Sequence, residues 1–217
     1  MVAKAEIQKL SKEQISKHPV FDLLPPIFRD CIDEEHHRYS LELPFEMDGH
    51  IYATDGRIMV RVAATKEVCD ALPSPDDRKF PKHVADLFVG RDRWETEPVP
   101  TPTLDGLDRC PHCEGTGLQT CPCCQRHGAI CSDCHGTKVD LDKHSSVAVA
   151  EGVSLNPIYL GILLKHQVEL FVPRPPFSDE IEVVGAAQPV RFEVEPGVEG
   201  LLMPMSPAKT SHPSEVA

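Results

Sequence analysis

Seven of the nine cysteines fall within the 25 residues from Cys110 to Cys134, CPHCEGTGLQTCPCCQRHGAICSDC. No other stretch constrains the fold as tightly. Two thiolates separated by two residues can reach one ion from a single tight turn, and a second such pair completes a tetrahedron. Cys110 and Cys113 make one pair and Cys131 and Cys134 the other, with seventeen residues between the pairs. That spacing belongs to a structural four-cysteine site, so these four are the expected ligands and zinc the expected ion. Gly115 and Gly117 follow the first pair and Gly136 the second. A backbone wrapped around an ion needs positive φ there, which glycine accepts without steric cost.

The middle of the segment is less decisive. Cys121 and Cys124 have the spacing of half a second site, with Cys123 between them. His112, His127 or His135 would have to complete it, and the sequence singles out none, so a second ion stays open. A disulfide framework needs an oxidising compartment, whereas MVAKAEIQKLSKEQ lacks the apolar core of a signal peptide. The expected location is cytoplasmic. A thioredoxin-like pair needs a CxxC beside a strand–helix unit, and the glycine-rich surroundings disfavour it. Iron–sulfur ligation also uses four thiolates and is not separated from zinc by spacing, although paired CxxC elements followed by glycine favour zinc knuckles. Four thiolates leave no coordination position for a reacting water, so the ion is expected to shape the chain. A structural zinc contributes on the order of 10 kcal/mol to such a module.

CPHCEGTG resembles the CxxCxGxG repeat in the cysteine-rich domain of DnaJ-type co-chaperones, and CSDCHGTK matches it except for lysine at the last glycine. The resemblance covers about 30 residues. It implies a polypeptide-binding role, although no HPD signature of a J-type helical domain precedes the cysteines.

A length of 217 residues suffices for one full core plus a small metal module, and no apolar run approaches a membrane span. The net charge of −12, from 34 acidic and 22 basic residues, repels nucleic acid on average. PVPTPT within Glu97 to Thr103 reads as a linker into the cysteine segment, and residues 206–217 as a disordered tail.

Strand signals flank the insertion. Leu41, Leu43, Phe45 and Met47 alternate with polar residues and Pro44, which moves this strand to an edge. Asp48-Gly49 turns the chain into His50–Thr54, and Asp55-Gly56 turns it again into Arg57–Ala63, giving a three-stranded meander. Beyond the cysteines come Val147–Ala150, a helix capped by Asn156-Pro157 and running to about His166, and strands over 168–172, 181–184 and 190–194. GVEGLLMPM closes the pattern. An earlier helix is expected over Pro25–His37 from the stripe Leu24, Ile27, Phe28, Cys31 and Ile32, and a short one from Pro81 burying Val84, Leu87 and Phe88. The expected class is α+β, with antiparallel sheets and two packed helices.

Both flanking halves resemble bacterial β sliding clamps. YSLELPFEMDGHIYATDGRIMVRVAA is similar to the clamp's strand–turn–strand–TDG–strand block. VAEGVSLNPIYLGILLKHQVELFVP is similar to the strand, N-P-x-Y-L helix and strand of its last domain, and LLMPM to its terminal strand. The resemblance implies one clamp-like domain, with halves at 17–89 and 146–205, interrupted at 90–145 by linker and zinc module. It also implies work beside DNA, with a protein partner and a homo-oligomer, since a one-domain chain needs about six copies to close a ring. The channel-facing cations on offer are few: Lys165 and His166 on one helix, Arg29 and Arg38 on the other.

Other constellations have plainer explanations. Glu34 and His37 have the spacing of a di-iron motif that occurs only once. Asp48 and Asp55 each precede a turn glycine, where aspartate serves backbone geometry rather than catalysis. Cys31 and Cys69 have no neighbouring cysteine and read as buried or free thiols. With no nucleophile elbow, phosphate-binding loop or HExxH helix, the chain reads as non-enzymatic.

Overall fold

The computed structural model describes residues 17–32, 43–72, 88, 96–120, 123, 127–151, 153–173 and 189–205. In chain order these form a 3-10 turn (Pro19–Asp22), helix α1 (Ile27–Asp30), strands β1 (Phe45–Met47), β2 (His50–Thr54) and β3 (Ile58–Ala63), and helix α2 (Lys66–Ala71). Strands β4 (Thr96–Val99), β5 (Leu118–Thr120), β6 (His127–Ile130), β7 (Val147–Ala150) and β8 (Val153–Leu155) follow. Helix α3 (Pro157–Lys165) and strands β9 (Glu169–Pro173), β10 (Val190–Glu195) and β11 (Val198–Leu202) complete the set. This is an α+β fold with antiparallel sheets. The chain divides into two compact units, Met1–Arg93 with Glu193–Leu201, and Trp94–Phe192 with Leu202–Ala217.

In the first unit the expected meander forms. Asp48 and Gly49 both take left-handed φ, 50° and 75°, as a two-residue hairpin requires. Asp55 Oδ1 accepts the amides of Arg57 and Ile58 at 2.8 and 2.9 Å, so this aspartate does turn chemistry. The sheet order is β1-β2-β3-β11, then the end of β10, with β1 at the edge and starting immediately after Pro44. Register pairs Ile51 with Val62 and Ala53 with Val60, placing one apolar row on one face. Helix α1 packs against β2 on its buried residues Ile27 and Phe28.

The opposite face differs from expectation. Alternation predicts Met59 and Arg61 toward solvent, yet both are buried. Met59 joins Phe45, Tyr52, Phe88 and Leu201 in a second cluster, where Tyr52 stacks on Phe45 at 5.6 Å and meets Phe88 edge-on at 5.9 Å. The Arg61 guanidinium lies 4.1 Å over the Phe88 ring, and its Nε and Nη2 both donate to Glu199 Oε1, at 2.9 and 2.6 Å. A two-sided sheet thus buries a cation by stacking and pairing it.

The helix expected over Pro25–His37 ends at Asp30, because the Cys31 amide bonds Phe28 O in a tightened last turn. Every residue of the predicted stripe is buried nonetheless. Asp30 and Cys31 are poor helix formers, and successive tight turns bury the same apolar set. Helix α2 was not foreseen; Thr65 caps it, its side chain accepting the Val68 amide at 3.3 Å. Arg29 is ion-paired to Asp22 at 3.6 Å and lies over the Phe21 ring.

In the second unit β9 lies between β4 and the start of β10. The stretch expected as a linker therefore contains an edge strand, with Pro98 opposite Phe171 and the Thr101 hydroxyl donating to Val168 O at 2.8 Å. An edge accommodates proline because only one side of the strand is paired. Helix α3 starts as its sequence dictates, with Pro157 in the first turn and Asn156 Oδ1 accepting the Ile158 amide at 2.8 Å. Leu160 and Leu163 are fully buried on its inner side. At its end the amides of Gln167 and Val168 bond Leu164 O and Leu163 O, a Schellman closure that puts Gln167 at φ 52°. The last strand stops at Leu202, and Met205 makes an isolated bridge to Ser154. The expected helix from Pro81, apart from buried Phe88, lies outside the described residues, as do Glu34, His37, Arg38, the strand over 181–184 and the tail.

Candidate metal centre

The cysteine segment folds as two copies of one turn. In the first, Thr116 donates its amide and hydroxyl to Cys113 O at 2.9 and 2.8 Å; in the second, Thr137 does the same to Cys134 O at 2.9 and 2.7 Å. Glu114 and Gly115 (φ 52° and 80°) correspond to His135 and Gly136 (φ 49° and 81°), and Gly117 (φ 77°) corresponds to Lys138 (φ 70°). Each copy also holds the other, since the Cys110 amide donates to Lys138 O at 2.9 Å and the Cys131 amide to Gly117 O at 3.0 Å. The arrangement is a pseudo-twofold pair of knuckles. Lysine at the last glycine of the repeat thus departs from the pattern in residue type while keeping the left-handed backbone.

Glycine at 117 is required twice over. Its φ is left-handed, and a Cβ there would fall 2.9 Å from Gly136 O, a backbone atom with no rotamer to yield.

The four expected ligands converge. Cys110, Cys113, Cys131 and Cys134 are 0–6% exposed and form a cluster of their own, with all four sulfurs within 4.8 Å of one another. Across the pseudo-twofold, Cys110 Sγ and Cys131 Sγ are 3.9 Å apart, and Cys113 Sγ and Cys134 Sγ 3.7 Å. Tetrahedral thiolates at about 2.3 Å from one zinc stand about 3.8 Å apart. The donor set therefore fits zinc.

Electrostatics agree with that fit. Burial, ahead of the neighbouring Cys113 and Cys131 thiols, pushes Cys134 up to about 12. Burial raises Cys110 as well. It acts the same way on Cys113, but there the Gly117 amide, the Cys134 thiol, the Gly115 amide and the Cys110 thiol outweigh it and bring the group down to about 6. The Gly117 N–H lies 3.2 Å from Cys113 Sγ. The raised thiols of Cys110 and Cys134 favour their neutral forms unless a cation sits beside them, and a divalent ion supplies that charge.

A second group of donors adjoins the first. His112, Cys131 and Asp133 also present ligand atoms within 4.8 Å of one another, with His112 Nδ1 3.4 Å from Asp133 Oδ2. His112 and Asp133 hold the same place in the two knuckles, and both side chains are about half exposed. The two clusters are geometrically consistent with one or two zinc sites, and Cys131 belongs to both. Sequence reasoning had His112 among its candidates and missed Asp133; superposing CPHC on CSDC would have paired them. Cys121 and Cys124 lie outside the described residues. His127 opens β6, which pairs with β5.

The knuckles are anchored at both ends. Arg109 bridges Val139, and the Asp108 carboxylate and amide both meet His144 Nε2, at 3.2 and 3.1 Å. Thr137 leans on helix α3 at Gly161, where a Cβ would meet its methyl at 3.3 Å. Glycine in a helix interior lowers stability by about 1 kcal/mol, and here it admits the knuckle. Of the isolated thiols, Cys31 is buried and held well above its ordinary range, first by desolvation and then by the charges of Asp55 and Asp30, while Cys69 is exposed.

Among the described residues no helix is long and apolar enough to cross a membrane. Comparison with known proteins gives no match to a family model, to a curated protein or to a solved structure.

Proposed function

We propose that this chain is a non-enzymatic, zinc-binding accessory protein in which the ion fixes the paired knuckles as a rigid surface for a protein partner. The observation that carries the reading is the convergence of four buried cysteines whose sulfurs lie within 4.8 Å of one another, two pairs of them at 3.9 and 3.7 Å, held by reciprocal backbone bonds between the knuckles. A saturated set of four thiolates holds shape and offers no site for a reacting water. The short clamp-like motifs around Asp55-Gly56 and Asn156-Pro157 support a role in DNA replication or repair as part of this proposal, with clamp-like self-assembly as the route to DNA. Native mass in solution together with binding to duplex DNA over a salt series tests this. An oligomer whose DNA binding weakens with salt supports it; a monomer indifferent to DNA sinks the clamp part.

One feature favours a second reading, a DnaJ-like module that binds polypeptides in a chaperone or adaptor role. Leu118 and Ile130 are cross-strand partners on the β5–β6 ribbon and stand 39% and 67% exposed. Capture of an unfolded chain that survives high salt, and is lost in L118S/I130S, is the outcome this reading requires.

A further inference from the structure

We propose that His112 and Asp133 form the route by which zinc enters and leaves the buried four-cysteine site, by way of a shared ligand, Cys131. This rests on the zinc reading above. The four cysteines are 0–6% exposed, so the enclosed site needs a path for a hydrated cation. His112 Nδ1 and Asp133 Oδ2 stand at the surface, 3.4 Å apart. That separation matches two ligands at about 2.0–2.1 Å from one tetrahedral zinc. Cys131 Sγ lies within 4.8 Å of a ligand atom of each residue, and is also one of the four inner sulfurs.

One nitrogen, one oxygen and one sulfur, with water in the fourth position, make an open coordination set beside a closed one. His112 and Asp133 take a cation while it still carries water. Cys131 keeps hold of it as Cys110, Cys113 and Cys134 displace the outer ligands one at a time, any thiol that still carries a proton giving it to solvent on ligation. Departure runs through the same contacts in reverse. Because His112 and Asp133 release the ion at the end of the sequence, they stabilise its passage and not its final state.

That distinction sets the test. Zinc uptake by metal-free, reduced full-length chain, and zinc transfer from loaded chain to a chromophoric chelator, are timed for wild type and for H112A/D133A, and equilibrium affinity is measured by competition. In the double variant both rates are expected to fall by about tenfold or more, equivalent to about 1.4 kcal/mol of barrier, with affinity unchanged. Unchanged rates overturn the proposal. So does faster release with weaker affinity, the signature of an ion pair that merely braces the knuckles. Wild-type chain that binds no zinc at equilibrium refutes the zinc reading itself, an outcome distinct from both.

Discussion

Position 138 offers the sharpest perturbation of the knuckles. Lys138 and Gly117 are equivalent under the pseudo-twofold, at φ 70° and 77°, but only one of them is glycine. Holding an L-residue in the left-handed region costs about 1–2 kcal/mol. Glycine offsets part of that through its greater freedom when unfolded, about 0.5–1 kcal/mol, leaving Lys138→Gly a net gain of about 0.5–1 kcal/mol. The bond from the Cys110 amide to the carbonyl of residue 138 is unaffected, since it is backbone. Where folding of the module is coupled to zinc, this gain appears as about two- to fivefold tighter zinc binding. The reciprocal change, Gly117→Ala, adds the left-handed cost and drives a Cβ to 2.9 Å from Gly136 O. Its expected penalty is about 2 kcal/mol or more, a loss of about thirtyfold in affinity. Chelator competition under reducing conditions, with thermal unfolding of the loaded chains, measures both. If K138G weakens binding, or both variants shift in the same direction, the equivalence of the knuckles is wrong.

Three further outcomes follow from the packing around the site. Arg61→Met removes both guanidinium bonds to the Glu199 carboxylate, whose side chain is only 13% exposed, and is expected to lower stability by about 3 kcal/mol in chemical denaturation, with R61M/E199L recovering much of the loss. Gln167→Gly, at the left-handed end of α3, is expected to raise the thermal midpoint through a gain of about 0.5–1 kcal/mol; a decrease would show that the side chain outweighs the backbone. Cys31 is held neutral in the fold well above its ordinary value of 9.0. Its contribution is therefore complete below about pH 9 and lost as pH rises into the folded range, because the unfolded thiol ionises first. Denaturation at successive pH values above 9 should show wild type losing up to about 1.4 kcal/mol per pH unit relative to Cys31→Ala, and parallel curves for the two would refute that assignment.

What the sequence disclosed follows from how local each signal is. Asp48-Gly49, Asp55-Gly56 and Asn156-Pro157 carry their turn or cap within two residues, and each element they delimit is in place. The four cysteines that converge were legible for the same reason, as CxxC pairs with glycine behind them. Burial on the second face of β3 was not legible, because it depends on Phe88, Leu201 and Glu199, all remote in sequence from Met59 and Arg61. The apolar stripe from Leu24 to Ile32 was read correctly but assigned to one long helix, when periodicity cannot distinguish a continuous helix from consecutive tight turns. Strand β4 was hidden by Pro98, which an edge position tolerates. Asp133 escaped notice because its meaning comes from His112, which the pseudo-twofold brings across to it.

The claim beneath all of this is that one divalent ion, gripped by Cys110, Cys113, Cys131 and Cys134, holds the two knuckles together. Amide hydrogen exchange of the reduced chain, before and after removal of metal by a chelator and alongside elemental analysis, addresses it directly. Expected is tightly held zinc before chelation, and afterwards loss of protection at the Cys110 and Cys131 amides, whose acceptors are Lys138 O and Gly117 O. A chain purified without metal that still protects those two amides would contradict it.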